Sequence, residues 1–141
     1  MGDYMYKYHL FIISNNSYKI YKNNPKNLYD ILNIICHMKS TDLIYGLNLY
    51  NSLCDTFSVK LLKDYIIDRF DIKQNSKFIF LNNKCEKTNI NINYSNTYII
   101  SNIKYPEIFR IFNIYNKRIF VIDIEHEKYF WLNNLKLTNK L

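Results

Sequence analysis

Alanine is absent from this chain of 141 residues, and glycine and proline occur only twice each. The two glycines, Gly2 and Gly46, lie far apart in the sequence. Glycine-rich loops that cradle phosphates need several glycines close together, so the chain contains no such motif. This scarcity excludes the classical nucleotide-binding enzymes, and we expect a protein that uses no cofactor.

Cysteine is also scarce, with only Cys36, Cys54 and Cys85 in the chain. The three residues are widely spaced and odd in number, which indicates neither a disulfide framework nor a zinc site. This pattern favours a reducing, cytoplasmic setting. No apolar run approaches the roughly 20 residues that a membrane-spanning helix needs. We therefore expect no membrane association.

Four residue types make up the bulk of what is present. The chain has 22 Ile, 21 Asn, 16 Lys and 14 Tyr, together 73 of 141 residues. All four have AT-rich codons, which indicates an AT-rich source genome. The net charge is +7, and residues 71–141 carry eleven basic and six acidic groups, a net of +5. A basic surface can attract nucleic acid or an acidic protein face, but codon bias favours a merely solvated lysine-rich surface.

The spacing of apolar residues predicts one domain, residues 1–141, with an α/β (α+β) layered fold. We expect a small mixed sheet packed with about three helices and closed by a C-terminal β-hairpin. Residues 14–24 are predicted to be a polar connection, and residues 43–54 and 98–103 stay open between helix and strand. The predicted helices are residues 25–37, 58–70 and 106–115, and the predicted strands are residues 5–13, 77–82, 88–94, 118–124 and 128–132.

The closing hairpin contains the most chemically suggestive cluster, with Asp123, Glu125, His126 and Glu127 close together. In an extended strand Asp123 and Glu125 would share a face and could hold a hard divalent cation. These residues nevertheless lie where a hairpin turns, and no second cluster supplies further ligands. We predict that Glu125, His126 and Glu127 are exposed, that Trp131 packs in the core, and that the chain has neither catalytic nor metal-binding residues.

A strip from Tyr18 to Lys26 alternates aromatic residues with three lysines and contains no acidic residue. Such a strip could stack bases and hold phosphates, it could dock a protein, or it could be an incidental loop. The residues alone leave these alternatives open. The neighbouring pair Cys36–His37 is not expected to act together, because adjacent residues of a helix point in different directions.

The segment FVIDIEHEKYFWLNN (residues 120–134) resembles the C-terminal signature of the SirA family, the sporulation inhibitors of DNA replication. Within it, KYFWLN (128–133) matches the family pattern Arg/Lys-Tyr-x-Trp-Leu-Asn. The YKY at residues 6–8 resembles the family's opening Tyr-x-Tyr strand. LYDIL (28–32) stands in the family's aromatic–acid–aliphatic position on the first helix. The predicted order of elements is similar as well.

Ahead of that helix the chain departs from the family. YKIYKN (18–23) replaces a His-Tyr-Phe-Gly stretch and keeps only Tyr21 in register. The resemblance implies a small, cytoplasmic, monomeric, non-enzymatic inhibitor that binds the N-terminal domain of the initiator DnaA and makes no direct contact with nucleic acid. Tyr21, with Tyr18 beside it, is then the expected partner-binding site, with both rings pointing outward. The alternative is a nucleic-acid-binding or nuclease-like protein of an AT-rich virus or mobile element that uses the basic strip.

Overall fold

The computed structural model describes residues 5–38, 42–70, 79–82 and 85–135. They form a layered α+β fold, as predicted, with five α-helices and one seven-stranded sheet in this part of the chain. The helices are α1 (Asn15–Tyr21), α2 (Pro25–Cys36), α3 (Leu43–Leu53), α4 (Val59–Phe70) and α5 (Ile108–Tyr115). The strands are β1 (Tyr6–Ile13), β2 (Cys54–Asp55), β3 (Ile79–Asn82), β4 (Lys87–Ile92), β5 (Thr97–Ser101), β6 (Ile119–Asp123) and β7 (Lys128–Trp131).

The strands lie in the order β3-β4-β5-β1-β6-β7, with β2 paired to the end of β1. Every pair between described strands is antiparallel, so the predicted mixed sheet is corrected to an antiparallel one. β5 pairs with β1 as far as Leu10, and β2 takes over at Ile12 and Ile13. β1 is therefore the central strand, flanked by a partner along both edges.

Both faces of the central strands are buried, and each face has its own apolar core. On the first face, strands β1, β3, β4, β5 and β6 pack against α4 and α5. On the second face, β1, β2, β6 and β7 pack against α2 and α3, with side chains of α1 at the margin. All five residues of β6 are buried for this reason. Continuous apolar runs such as FII in β1 are typical of strands covered on both sides.

The predicted helices follow their sequence signals closely. α2 starts at Pro25, where the missing N–H loses no helical hydrogen bond, and it buries Leu28 and Leu32. α4 buries Leu62 and Ile66. α5 buries four apolar residues within eight positions, which accounts for its strongly one-sided pattern. The closing hairpin also forms as predicted, from β6 and β7.

The predicted polar connection at residues 14–24 is wrong, because α1 occupies most of it. Ser14 caps this helix, its Oγ accepting the backbone N–H of Ser17 at 3.3 Å. Ser17 is buried and donates its hydroxyl to the carbonyl of Ser52 on α3 at 3.1 Å. The ambiguous residues 43–54 become α3 and the start of β2, and residues 98–103 are mainly β5. Residues 77–78 of a predicted strand lie outside the described residues.

In the described ranges, the helices on the second face leave part of the sheet uncovered. The second-face core contains no residue of β3, β4 or β5, whereas the first-face core contains residues of all three. The burial of β3 and β4 alternates accordingly, with buried residues on the first face and more exposed ones on the second. In the part of the chain that the structure describes, no helix is long and apolar enough to cross a membrane.

Candidate functional site

Trp131 lies in the core, as predicted, with 4% of its surface exposed. Its ring meets Phe120 of β6 and Tyr18 of α1 edge to face, each at a centroid distance of 4.8 Å. The indole N–H donates to the carbonyl of Lys22, just after α1, at 3.2 Å. The last strand therefore holds the first helix against the sheet through both ring packing and a hydrogen bond.

The two predicted partner-binding residues are not fully outward-facing. Tyr18 and Tyr21 are both half-buried at the margin of the second-face core. The expectation that their rings point freely outward is corrected, because α1 is a helix that packs on Trp131 rather than a loop. The outermost apolar side chain of this segment is Ile20, which is 67% exposed between Lys19 and Lys22.

The three helices on the second face carry several exposed apolar side chains. We define the helical-layer surface as the exposed apolar residues of α1, α2 and α3, each more than half exposed: Ile20, Ile34, Ile44, Tyr45 and Leu47. The three helices contact one another, so these residues belong to one layer. Concentrations of exposed apolar residues on a soluble domain commonly mark sites of protein interaction.

An apolar groove opens beside this surface, where the end of α2, the middle of α3 and the β4–β5 turn converge. Its volume is about 520 Å³, within the usual size range of ligand pockets. Ile35, Leu47 and Tyr50 are among its lining residues, with Phe11 of β1 beneath. A β-carbon added to Gly46 would lie 2.6 Å from the sulfur of Met38, so the glycine makes room for the methionine side chain.

The cluster at the hairpin turn consists of three exposed residues and one buried aspartate, which pairs with one of them. Glu125, His126 and Glu127 are exposed, as predicted. Asp123 is buried, and its carboxylate accepts the backbone N–H of His126 at 3.2 Å and lies 2.8 Å from the Nδ1 of the same residue. Within the described ranges, no group of three or more His, Cys, Asp or Glu side chains is placed to hold a metal ion.

A cleft of about 350 Å³ lies next to this pair, lined mainly by tyrosines and lysines. Tyr8 donates its hydroxyl to the carbonyl of Lys104. Burial, and then the negative charge of Asp123, raises the pKa of Tyr8 well above its ordinary value. Tyr8 therefore stays protonated and serves as a structural donor. The pair orients an imidazole, but the cleft lining offers no serine, threonine or cysteine nucleophile beside it.

The other histidines also have structural partners. The Nδ1 of His37, the residue that follows the last residue of α2, lies 2.8 Å from the carbonyl of Asn33, one turn earlier in the chain. His9 is half-buried, with its ring 4.7 Å from that of Tyr98 and its Nδ1 3.2 Å from the Asn96 amide nitrogen. Both rings therefore have contacts with nearby backbone or side-chain groups.

Sequence reasoning missed the helical-layer surface and the groove. The signal was present in LIYGLNLY (residues 43–50), whose apolar residues fall on every side of a helix. That pattern made the segment ambiguous between helix and strand, and it also meant that some apolar residues had to remain outside the core. No family model matches the chain, and no curated protein matches it.

Proposed function

We propose that this protein is a small, non-enzymatic regulator that acts by binding another protein, and that its partner is the N-terminal domain of the replication initiator DnaA. The helical-layer surface supports the first part, because it places exposed apolar residues on helices anchored to a sheet. The resemblance of residues 120–134 to the SirA signature, together with Tyr21, supports the choice of DnaA. A cytoplasmic monomer that takes no cofactor fits this role.

The observation that carries the proposal is the exposure of Ile20 on an immobilised helix. α1 is fixed by the contact of Tyr18 with Trp131 and by the hydrogen bond from Trp131 to the Lys22 carbonyl. An apolar residue on a fixed helix loses little conformational entropy when a partner covers it. The half-buried rings of Tyr18 and Tyr21, on the same helix, add apolar area that a partner covering Ile20 would also contact. Tyrosine combines apolar area with a hydroxyl, which suits an interface anchor.

Inhibition by this surface would be competitive. A standard interface covers about 800 Å² on each partner, an area within reach of α1 and the adjoining helices. The exposed lysines Lys19 and Lys22 would lie at the rim, where charge affects the rate and specificity of association more than the affinity. Covering a DnaA domain that is needed for assembly would prevent productive initiation complexes.

Calorimetric titration with the cognate DnaA N-terminal domain tests the proposal. We expect Tyr21→Ala to weaken binding by about 2 kcal/mol, as truncation of an interface anchor does. Because Tyr21 is half-buried, Ile20→Asp is the cleaner variant, and it should weaken binding to a similar extent. Its free energy of unfolding should change by less than about 1 kcal/mol, since Ile20 lies at the surface.

Ile114→Asp is the matched control. Ile114 is 69% exposed on α5, across the sheet from α1. The Ile114→Asp variant should therefore bind DnaA as the wild type does. Failure of the wild-type chain to bind would remove DnaA as the partner. If the wild type and Ile20→Asp bound DnaA equally well, DnaA would remain the partner, but the interface would lie elsewhere than on α1.

A further inference from the structure

The uncovered half of the second sheet face is a surface that the proposed function does not use. We define the open sheet face by the side chains that β1, β3, β4 and β5 direct away from the first-face core: Lys7, Phe80, Lys87, Asn89, Tyr98 and Ile100. On the opposite side of the same strands, Ile79, Ile90 and Ile99 are fully buried. Among the described residues, this half of the sheet is therefore supported from one side, while on the other side Lys7, Phe80 and Lys87 are exposed and Asn89, Tyr98 and Ile100 are half-buried.

Strand register places these side chains in rows. Asn89 pairs with both Phe80 and Ile100, and Ile100 pairs with Lys7 on β1. In the next row Tyr98 lies between Asn91 and His9. Neighbouring strands are about 4.8 Å apart and each residue rises about 3.4 Å along a strand, so Phe80 and Tyr98, two strands and one row apart, are separated by about 12 Å. Two aromatic rings are thus held at a fixed distance, with amide side chains between them.

The charge of the open sheet face has one sign. Lys7 and Lys87 are both exposed, and no aspartate or glutamate lies on this face among the residues that the structure describes. Burial, and then the nearby charge of His37, lowers the pKa of His9, which disfavours a positive charge on its ring. The positive charge here comes from the two lysines, and it favours an anionic partner.

The face also contains a depression large enough to take a flat ring. Its volume is about 370 Å³, and Met5, Phe80, Lys87, Asn89 and Ile100 are among its lining residues. Phe80 is 43% exposed at this depression. An aromatic wall, an amide and a lysine ammonium therefore surround one cavity, and these groups match the base and the phosphate of a nucleotide unit.

We propose that the open sheet face binds single-stranded nucleic acid. Bases stack on Phe80 and Tyr98, the amides of Asn89 and Asn91 bond to base edges, and Lys7 and Lys87 contact phosphates. A flat antiparallel sheet with aromatic residues suits unstacked bases, whereas a duplex hides its base faces. An acidic peptide would match the lysines but would make no comparable use of two spaced rings.

This inference goes beyond the proposed function and concerns a surface separate from the strip at residues 18–26. It also reverses the expectation of no direct contact with nucleic acid. That expectation came from the resemblance to the SirA family. The residues that form the open sheet face, such as Lys7, Phe80 and Tyr98, lie far apart in the sequence, and only the strand register brings them together. Binding of nucleic acid and binding of DnaA would use different residues, so either can fail without the other.

Fluorescence anisotropy with a labelled single-stranded oligonucleotide, as DNA and as RNA, tests the inference. We expect Phe80→Ala to weaken binding at least about fivefold, the lower limit for losing one stacked base. Lys87→Gln should make the slope of log affinity against log salt less steep by about 0.7, the value for one phosphate contact to a single strand. Lys87 is exposed, so this variant should keep its fold.

Two controls match these variants in kind and exposure. Tyr105 is 44% exposed and lines the cleft next to Asp123 and His126, and Lys117 is exposed in the turn before β6. Tyr105→Ala and Lys117→Gln should bind the oligonucleotide as the wild type does. Equal loss in the controls would mean binding by overall charge and would overturn the inference. Equally tight binding of a duplex, or no binding at low salt, would also overturn the inference. Full displacement of the oligonucleotide by polyglutamate would overturn it as well and would indicate an acidic protein partner.

Discussion

At the scale of single residues, Trp131 is the side chain that joins the closing hairpin to the first helix. Its ring contacts a strand neighbour, Phe120, and a helix residue, Tyr18, and its N–H reaches the end of α1. Tyr129, two residues earlier on the same face, stacks on Tyr29 of α2 at 4.9 Å. β7 thereby fixes both the first and the second helix, which explains why the aromatic residues are concentrated in this short strand.

Truncating Trp131 should largely unfold the domain. Replacing a buried large aromatic residue by alanine costs about 3–5 kcal/mol, and the carbonyl of Lys22 would lose its donor as well. Trp131→Phe should cost less, because it keeps the ring packing. Urea unfolding monitored by far-ultraviolet circular dichroism provides the measurement.

Glu125→Ala serves as the control for this prediction. Glu125 is exposed at the turn, and exposed substitutions usually change stability by less than about 0.5 kcal/mol. Similar unfolding midpoints for Trp131→Ala and the wild type would contradict the role assigned to the indole.

At the scale of elements, α1 shows how a short helix forms in a sequence that looks like a loop. Its seven residues, NNSYKIY, include two asparagines and no strong helix former except lysine. The helix is stabilised from outside, by the Ser14 cap, by Ser17 bonding to α3, and by Tyr18 on Trp131. An isolated helix of this length would be unstable in water, so tertiary contacts maintain it.

Removing the cap should therefore lower the stability of the whole domain measurably. Ser14→Ala leaves the N–H of Ser17 without its side-chain acceptor, and we expect a loss of about 1 kcal/mol, within the range for N-cap serines. Ser14→Asp should restore most of it, because aspartate caps equally well. Thermal unfolding followed by circular dichroism measures both.

Ser95→Ala, in the exposed β4–β5 turn, should unfold as the wild type does. If Ser14→Ala and Ser95→Ala had equal melting temperatures, the cap would contribute nothing to the fold. The stability of α1 would then come from the contacts of Ser17 and Tyr18 and not from the cap.

At the scale of the whole molecule, the two cores keep several ionisable groups protonated. Burial, with a smaller contribution from the charge of Asp55 and from Cys36, raises the pKa of the Cys54 thiol from 9.0 to about 12. Burial likewise raises the pKa of Tyr8 and of Tyr50 well above their ordinary value of 10.0. The folded chain thus keeps protons that the unfolded chain releases in alkaline solution.

The free energy of unfolding should consequently fall as the solution becomes alkaline. Each raised pKa contributes stability that is complete below the unfolded value, 9.0 for Cys54 and 10.0 for the two tyrosines, and that is lost as the pH rises above it. Each such group adds about 1.4 kcal/mol per pH unit to this loss while only the unfolded state is deprotonated. Urea unfolding at a series of pH values above neutrality measures the slope.

Tyr50→Phe removes one of these groups, at the loss of its 3.0 Å hydrogen bond to the Asp55 carbonyl. The variant should be less stable at neutral pH, but its stability should fall less steeply with alkaline pH than that of the wild type. Parallel curves for the two proteins would show that Tyr50 titrates alike in the folded and unfolded chain.

The sequence by itself determined the layered α+β class, the helices at Pro25, Val59 and Ile108, and the closing hairpin. These elements follow from local physics, because each has an apolar period that only one backbone geometry can bury on one side. The exposure of Glu125, His126 and Glu127 was predictable for a similar reason. Their neighbours on both sides form the strands of a hairpin, so the residues between must turn in solvent.

Only the tertiary structure decided the rest. α1 forms because its Ser17 bonds to Ser52 of α3 and its Tyr18 packs on Trp131 of β7. Ser17 and Trp131 are 114 positions apart in sequence, and no local pattern reports contacts over such a distance. The antiparallel order of the strands depends on how distant segments pair. The open sheet face arises because α1, α2 and α3 cover only one half of a sheet. Which apolar and basic residues stay accessible is thus a property of packing between elements rather than of any segment.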